Sequence, residues 1–339
     1  MEASKLTVAV TGPTGEIGLA ALRALDHSPT VGRVIGMARS PFRPSDHELS
    51  EKVEYRRGDV LDRDSVDELV AGADVVVHLA FIIMGDPEEA RAINLEGSRN
   101  VFEATVAAGA KRLVYTSSVA AYGFHADNPQ PLTEDVEPHG SESFYYSAHK
   151  AEIEQVLDET LAGSDVGAWV FRPCIVAGAG APMLIETMVG ALPVFGQLKL
   201  ARRIADQVPF LGPILPDPGI PFQLVHTDDV AQALLAAVDG KGAPGRYNLA
   251  GQGAMTVARM ARALGWLSVP VPGAAVVSLD ELLQRLPGMP PEAAWLTAFR
   301  VPTLMDTSKA RAELGWHPRW DAEATLQETI TGAREAGIL

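Results

Sequence analysis

Tyr146 and Lys150 stand four residues apart in Tyr146-Ser-Ala-His-Lys150, and residues 151–157 continue the same helical pattern. Four residues is about one helical turn, so the two side chains share a face. A free phenol has a pKa of about 10, too high for ready proton exchange near neutrality, and a nearby ammonium favours the phenolate. Lys150 could act on Tyr146 in this way, and the pair could then give a proton to an alkoxide or take one from an alcohol. An isolated Tyr-x-x-x-Lys is also a common exposed helix pair. A second signal lies 28 positions earlier, where the apolar run Leu113-Val-Tyr-Thr-Ser-Ser118 ends in hydroxyls. Ser118, or its neighbour Ser117, could hydrogen-bond a substrate oxygen as charge develops on it, or serve only a turn.

Such groups need a scaffold that brings them together. In Val8-Ala-Val-Thr-Gly-Pro-Thr-Gly-Glu-Ile-Gly18 the apolar run 6–10 leads through Gly12, Gly15 and Gly18 into a helical pattern. A strand that turns sharply into a helix while its backbone approaches a pyrophosphate leaves no room for Cβ atoms. The helix N-terminus adds free N–H groups and the positive end of a dipole. Apolar runs at 33–38, 53–57, 74–79, 111–116 and 168–171 alternate with further helical patterns. That order implies an α/β fold, a parallel sheet covered by helices on both faces, with its ligand crevice at the carboxyl ends of the strands. Thr11, Ala38, Asp59, Ala80 and Ser117 fall near those ends. Asp59 could accept a hydrogen bond from an adenine amino group or cap a turn. The second strand ends in Gly36-Met-Ala-Arg-Ser40, without the acidic residue that usually holds the adenosine ribose hydroxyls. Arg39 could instead pair with a 2′-phosphate or lie solvated. The implied cofactor is NAD or NADP, with NADP preferred.

Composition narrows the classes. The chain has 339 residues, 47% hydrophobic and 21% charged, enough for one large domain and a smaller one. Its net charge of −15, with no block of Lys and Arg, disfavours nucleic acid and anionic membranes as partners and leaves a small-molecule substrate. Cys174 is the only cysteine, and the N-terminus enters a strand without a secretory leader's pattern, so a cytoplasmic protein is expected. The eight histidines show no metal-ligand spacing, and no metal is expected. Prolines break up 177–221, read as a substrate-side insertion in which Arg202 and Arg203 could meet a phosphate or lie in a solvated turn. Strand-like text returns at 222–226 and 247–250, with a helix at 228–238 between, and the remainder reads as mostly helical. The expected NAD(P)-binding domain is therefore 1–176, with 222–250 returning to it, and the substrate-binding domain 177–221 with 251–339.

The glycine triplet, Asp59, His78-Leu-Ala80, Asn94-Leu-Glu-Gly97, Ser118 and Tyr146/Lys150 together resemble the extended short-chain dehydrogenase/reductases, and more narrowly their NAD-dependent epimerase/dehydratase group. Phe171-Arg-Pro173, 222–230, Tyr247-Asn-Leu249 and 306–316 carry the likeness over nearly the whole chain. The resemblance implies a Rossmann-type doubly wound sheet with a smaller, mostly helical carboxyl-terminal substrate domain. It implies Tyr146 as acid/base, Lys150 as its activator and nicotinamide-ribose ligand, and Ser118 as partner of the substrate oxygen. The cofactor set it implies is Gly12, Thr14, Gly15, Glu16, Ile17, Gly18, Arg39, Asp59, Val60, Leu79, Ala80, Tyr146, Lys150 and Arg172. Asn94 takes a structural or a catalytic role, and a homodimer forms through the helices carrying Asn94 and Tyr146.

Departures from the pattern bear on the substrate. Nucleotide-sugar members usually carry Asn and Arg where this chain has Ile175 and Ile220, and aliphatic side chains cannot replace the lost polar bonds. Phe81, Ile82, Ile83 and Met84 after the fourth strand imply an apolar substrate mouth, or ordinary core packing. The leading expectation is hydride transfer between nicotinamide and a secondary alcohol or ketone. The alternatives are a nucleotide-sugar epimerase or dehydratase with transient oxidation, and a dinucleotide-binding sensor without chemistry.

Overall fold

In the computed structural model, which describes residues 5–83, 85–191, 213–272 and 301–339, the apolar runs become strands of a parallel sheet. The chain order is β1 (Leu6–Thr11), α1 (Glu16–His27), β2 (Val31–Ala38), β3 (Val53–Arg57), α2 (Arg63–Val70) and β4 (Val75–His78). There follow α3 (Pro87–Arg91), a π-helical turn (Ala92–Gly97), α4 (Ser98–Ala107), β5 (Arg112–Thr116), α5 (Tyr145–Leu161) and β6 (Gly167–Pro173). Beyond these come β7 (Ile175–Ala177), α6 (Met183–Ala191), β8 (Ile214–Asp217), β9 (Leu224–His226), α7 (Thr227–Val238) and β10 (Gly245–Leu249). The last elements are α8 (Val257–Leu264), β11 (Leu267–Pro270), α9 (Ser308–Leu314) and α10 (Ala322–Glu335).

Seven strands form one sheet in the order β10-β6-β5-β4-β1-β2-β3, and every pairing in it is parallel. This is the Rossmann-like doubly wound sheet. Its strands are apolar on both faces because helices cover both. Val8, Val10, Val75, Val77 and Val114 enter one core, while Ala9, Val76, Leu113 and Tyr115, which alternate with them, enter the other. The strand order reverses between β1 and β4, where Thr11 stands beside His78 in register, and a crevice opens at that switch point.

A third core forms outside the main sheet, where Ala177, Leu224, Met260, Leu326 and Ile330 gather β7, β9, α8 and α10. Of the stretch 222–250, β10 joins the main sheet and α7 packs on α1, whereas β9 pairs with β7 instead. The Asp229 carboxylate accepts the backbone N–H of Arg319 and of Trp320, tying α7 to the carboxyl-terminal segment. Met84, Arg202 and Arg203 lie outside the described residues. Among the described residues no helix is long and apolar enough to cross a membrane, and no group of three or more His, Cys, Asp or Glu could hold a metal ion.

Candidate active site

The three glycines of the first turn have different reasons to be glycine. Gly12 has φ +70°, and a Cβ there would lie 2.6 Å from the backbone nitrogen of Ala80. A Cβ on Gly18 would lie 2.2 Å from the Gly12 carbonyl oxygen. Gly15, by contrast, sits at the N-cap of α1 with φ −80°, and its Cβ would meet nothing nearer than 3.6 Å. The first and third glycines therefore let the turn close on itself, and the second leaves open space at a helix N-terminus, where the residues fit a dinucleotide's phosphates. A buried hydrogen-bond chain fixes the strand ends beneath. Ser98 Oγ donates to the Asn94 carbonyl, so it accepts from His78 Nε2 at 2.9 Å, and His78 Nδ1 then accepts from Thr11 Oγ1 at 2.7 Å. Burial pushes the His78 pKa down to about 3, in keeping with that neutral ring.

The crevice beside this turn is lined by Gly12, Thr14, Gly15, Arg39, Asp59, Val60, Leu79 and Ala80 from the expected cofactor set. Ile17 packs on the core instead, and Glu16 Oε1 accepts the Met183 backbone N–H at 3.0 Å. Asp59 Oδ1 accepts from the Leu61 N–H at 3.0 Å, and Arg39 Nη1 reaches Glu89 Oε1 at 3.1 Å on an exposed edge. Arg172, also in the expected set, lies deeper. It is 1% exposed and does not line the crevice; its guanidinium grips both oxygens of Glu154, at 2.9 and 2.6 Å. A buried cation needs a close anion, and Glu154 supplies it.

At the other end, three consecutive residues leaving β5 meet three successive turns of α5. Ser118 is hydrogen-bonded to Tyr146, the Lys150 ammonium donates to the Thr116 carbonyl at 2.9 Å, and the Ser117 hydroxyl donates to Glu154 Oε1 at 2.6 Å. This separates the two serines. Ser117 is 2% exposed with its only proton spent on a carboxylate. Ser118 caps the short helical turn Val119–Tyr122, its Oγ accepting the Ala120 N–H at 3.1 Å beside the Tyr146 hydroxyl.

Lys150 does not lower the Tyr146 pKa as the sequence spacing had implied. Burial pushes the phenol up to about 12, opposed by the Ser118 hydrogen bond. Burial also pushes Lys150 down to about 7, opposed by the charge of Glu154. The ammonium points at the Thr116 carbonyl and lies 3.7 Å from the centre of the Phe81 ring, 5.9 Å from that of Tyr146. Sequence spacing foresaw the shared face; it could not foresee that desolvation would outweigh the mutual effect of two groups sealed from water.

Rings and loop backbone complete this end. Tyr146 contacts Phe81 edge to face at 5.4 Å between centres and Phe144 at 5.7 Å, and Phe144 in turn contacts Phe124 at 6.0 Å. Asn94, on the π-helical turn, is fully buried and bonds both backbone groups of Ile82, accepting at 2.8 Å and donating at 2.9 Å. The Tyr145 hydroxyl donates to the Ile83 carbonyl at 2.6 Å. Asn94 thus has a structural role, holding the loop that presents Phe81. Sequence reading singled out neither the Phe81 contact with Lys150 nor Glu154. The spacing Lys150 to Glu154, again four residues, was the available signal for the latter.

Residues 8–250 match the NAD dependent epimerase/dehydratase family. The chain belongs to that family. Membership makes it an enzyme that depends on a nicotinamide dinucleotide. An uncharacterized protein of Sinorhizobium fredii is 27% identical over 95% of this chain and 77% of its own length. Three mycobacterial relatives, 28% identical over 97% of this chain, are longer, and the chain spans 30% of their length; of three others, 26% identical, it spans 83%. The fold is shared with UDP-glucose 4-epimerase from Thermotoga maritima (TM-score 0.70, 19% identity, 98% of this chain and 99% of that one). It is shared also with a short-chain dehydrogenase/reductase superfamily protein from Agrobacterium tumefaciens with bound NAD (TM-score 0.71, 21% identity, 97% and 98%).

Proposed function

We propose that this family member is a net oxidoreductase, moving a hydride between a nicotinamide and a secondary alcohol or ketone that carries an apolar substituent. The observation that carries this reading is the pair of partly exposed rings beside Tyr146, Phe81, which also lines the crevice, and Phe124, with the buried Phe144 packed behind them. An apolar group against those rings sheds water at no polar cost, whereas a sugar diphosphate needs charged or hydrogen-bonding partners. Ile175 and Ile220 offer none.

Bound in the crevice, the nicotinamide supplies the hydride donor or acceptor. Tyr146, protonated throughout the neutral range, gives its proton to the oxygen of a carbonyl being reduced, and in the reverse direction the phenolate form takes the proton of the alcohol. Ser118, whose Oγ already accepts the Ala120 N–H, hydrogen-bonds the same oxygen as negative charge develops on it. Lys150, whose Nζ donates to the Thr116 carbonyl, would hold the nicotinamide ribose and, when protonated, would place positive charge behind the phenol. The proposed cofactor is NADP, because Arg39 lines the adenosine end and can leave Glu89 for a 2′-phosphate. The proposed assembly is a cytoplasmic homodimer through α4 and α5.

A second reading, epimerisation with the cofactor returned to its starting state, is favoured by the family and by the fold shared with UDP-glucose 4-epimerase. Incubation with NADPH or NADH and a panel of hydrophobic ketones separates the two. We expect one cofactor oxidised per product formed. Product formed from a UDP-sugar with only catalytic cofactor would establish the second reading instead.

A further inference from the structure

Glu154 is the most thoroughly engaged carboxylate in the described molecule and takes no direct part in the proposed chemistry. It is 0% exposed, one turn beyond Lys150 on α5. Its Oε1 accepts from Ser117 Oγ at 2.6 Å and from Arg172 Nε at 2.9 Å, and its Oε2 accepts from Arg172 Nη2 at 2.6 Å and Arg246 Nε at 3.4 Å. Arg172 belongs to β6 and Arg246 to β10, so one carboxylate ties α5 to three neighbouring strands or their ends. The Arg172 guanidinium is held in turn against the Tyr122 ring, 4.5 Å from its centre.

The seam this closes is regular. Tyr146, Lys150 and Glu154 recur every four residues on α5, and they meet Ser118, Thr116 and Ser117 at the end of β5. A shift of α5 by one residue along its axis, about 1.5 Å, would break all three bonds together. Because a carboxylate only accepts, the Ser117 proton is committed to it, which leaves Ser118 as the hydroxyl facing Tyr146.

We propose that Glu154 is a positioning residue for the acid–base pair. Anchored by Arg172 and Arg246, it sets the height of α5 against the end of β5 and places a negative charge one helical turn from Lys150, where it favours the ammonium. The charged and titratable groups facing Lys150 are Glu154 and Tyr146 on α5, His78 on β4 and Tyr115 on β5. His78 is neutral and both phenols stay protonated through neutrality, so Glu154 is the anion among them. The inference rests on Tyr146 and Lys150 being the reacting pair, but its test needs no substrate.

The experiment is a pH titration of the lysine side chains by NMR in protein labelled at lysine Cε, with Lys150 assigned through Lys150→Met. In Glu154→Gln the Lys150 midpoint should fall by about one pH unit, while Glu154→Asp should restore most of the difference. An unchanged midpoint in Glu154→Gln would show that Glu154 has no influence on the acid–base pair and overturn the proposal. Should Glu154→Gln fail to fold, Ser117→Ala keeps the buried ion pair and removes only the strap. Amide hydrogen exchange at residues 145–150 should then rise by about tenfold, with the end of α5 unaffected. Unaltered exchange across α5 would overturn the proposal equally. Absence of turnover on every ketone, with these shifts present, would instead count against the proposed function alone.

Discussion

Around Gly12 the candidate site is made of backbone, and around Tyr146 it is made of buried side chains. The first end depends on chain approach: Gly12 against Ala80, Gly18 against the Gly12 carbonyl, and an open helix N-terminus at Gly15. The second depends on rings, two hydroxyls, an ammonium and a carboxylate sealed together, where burial shifts the proton affinities of Tyr146 and Lys150 and is opposed by Ser118 and Glu154. A backbone-built site tolerates many surrounding sequences and serves one ligand class. A side-chain-built site is free to change its ligand with a few substitutions. The difference explains why the family is evident while the substrate has to be argued from particular rings.

The largest expected effects test the backbone end. Gly12→Ala and Gly18→Ala should each cost more than about 3 kcal/mol, because backbone must move and, at Gly12, a positive φ must be held by an L side chain. Gly15→Ala should cost under about 1 kcal/mol yet weaken NADPH binding by about tenfold. Thermal unfolding and fluorescence titration of NADPH would read both quantities. Equal destabilisation by all three substitutions would erase the distinction drawn among the glycines.

The next effect belongs to the sealed end. The Lys150 pKa of about 7 in the folded protein lies below its ordinary value of 10.5, so the unfolded chain binds more protons between those limits. Stability of the wild type should therefore rise with pH across that window. Lys150→Met should be more stable than wild type by on the order of a few kcal/mol below pH 7, and the gain should shrink as pH climbs. Chemical denaturation at several pH values measures it; a gain independent of pH would mean that no buried ammonium is being relieved.

The smallest effect lies at the exposed adenosine edge, where the Arg39–Glu89 pair is open to solvent and worth little by itself. Arg39→Ala should weaken NADPH binding by about tenfold and leave NADH within about twofold, while Glu89→Gln should tighten NADPH a few-fold. Calorimetric titration of both cofactors decides this. Tighter NADH than NADPH in the wild type would reverse the cofactor preference.

The sheet was legible because its strands are apolar on both faces and alternate with amphipathic helices, a pattern that survives without knowledge of any contact. The shared face of Tyr146 and Lys150 and the approach of Ser118 were legible for a similar reason, since helical spacing and a strand end fix their places. Arg172 was not: its position in the strand was right, but only the buried Glu154 shows where its guanidinium goes. Phe81 was visible as an apolar residue after β4, but its place over Lys150 depends on Asn94 and Tyr145 holding the loop by backbone bonds that no periodicity records. The sign of the Tyr146 shift was hidden too, because it follows from how much water the finished fold excludes.

The central claim is that Tyr146 passes the proton in a net hydride transfer, and Tyr146→Phe tests it most directly. The variant is to be compared with wild type for cofactor oxidation on any ketone the wild type reduces, with NADPH binding measured in parallel. The account predicts a loss of turnover of at least about a hundredfold with cofactor affinity within about twofold. Turnover at the wild-type rate in Tyr146→Phe would contradict it.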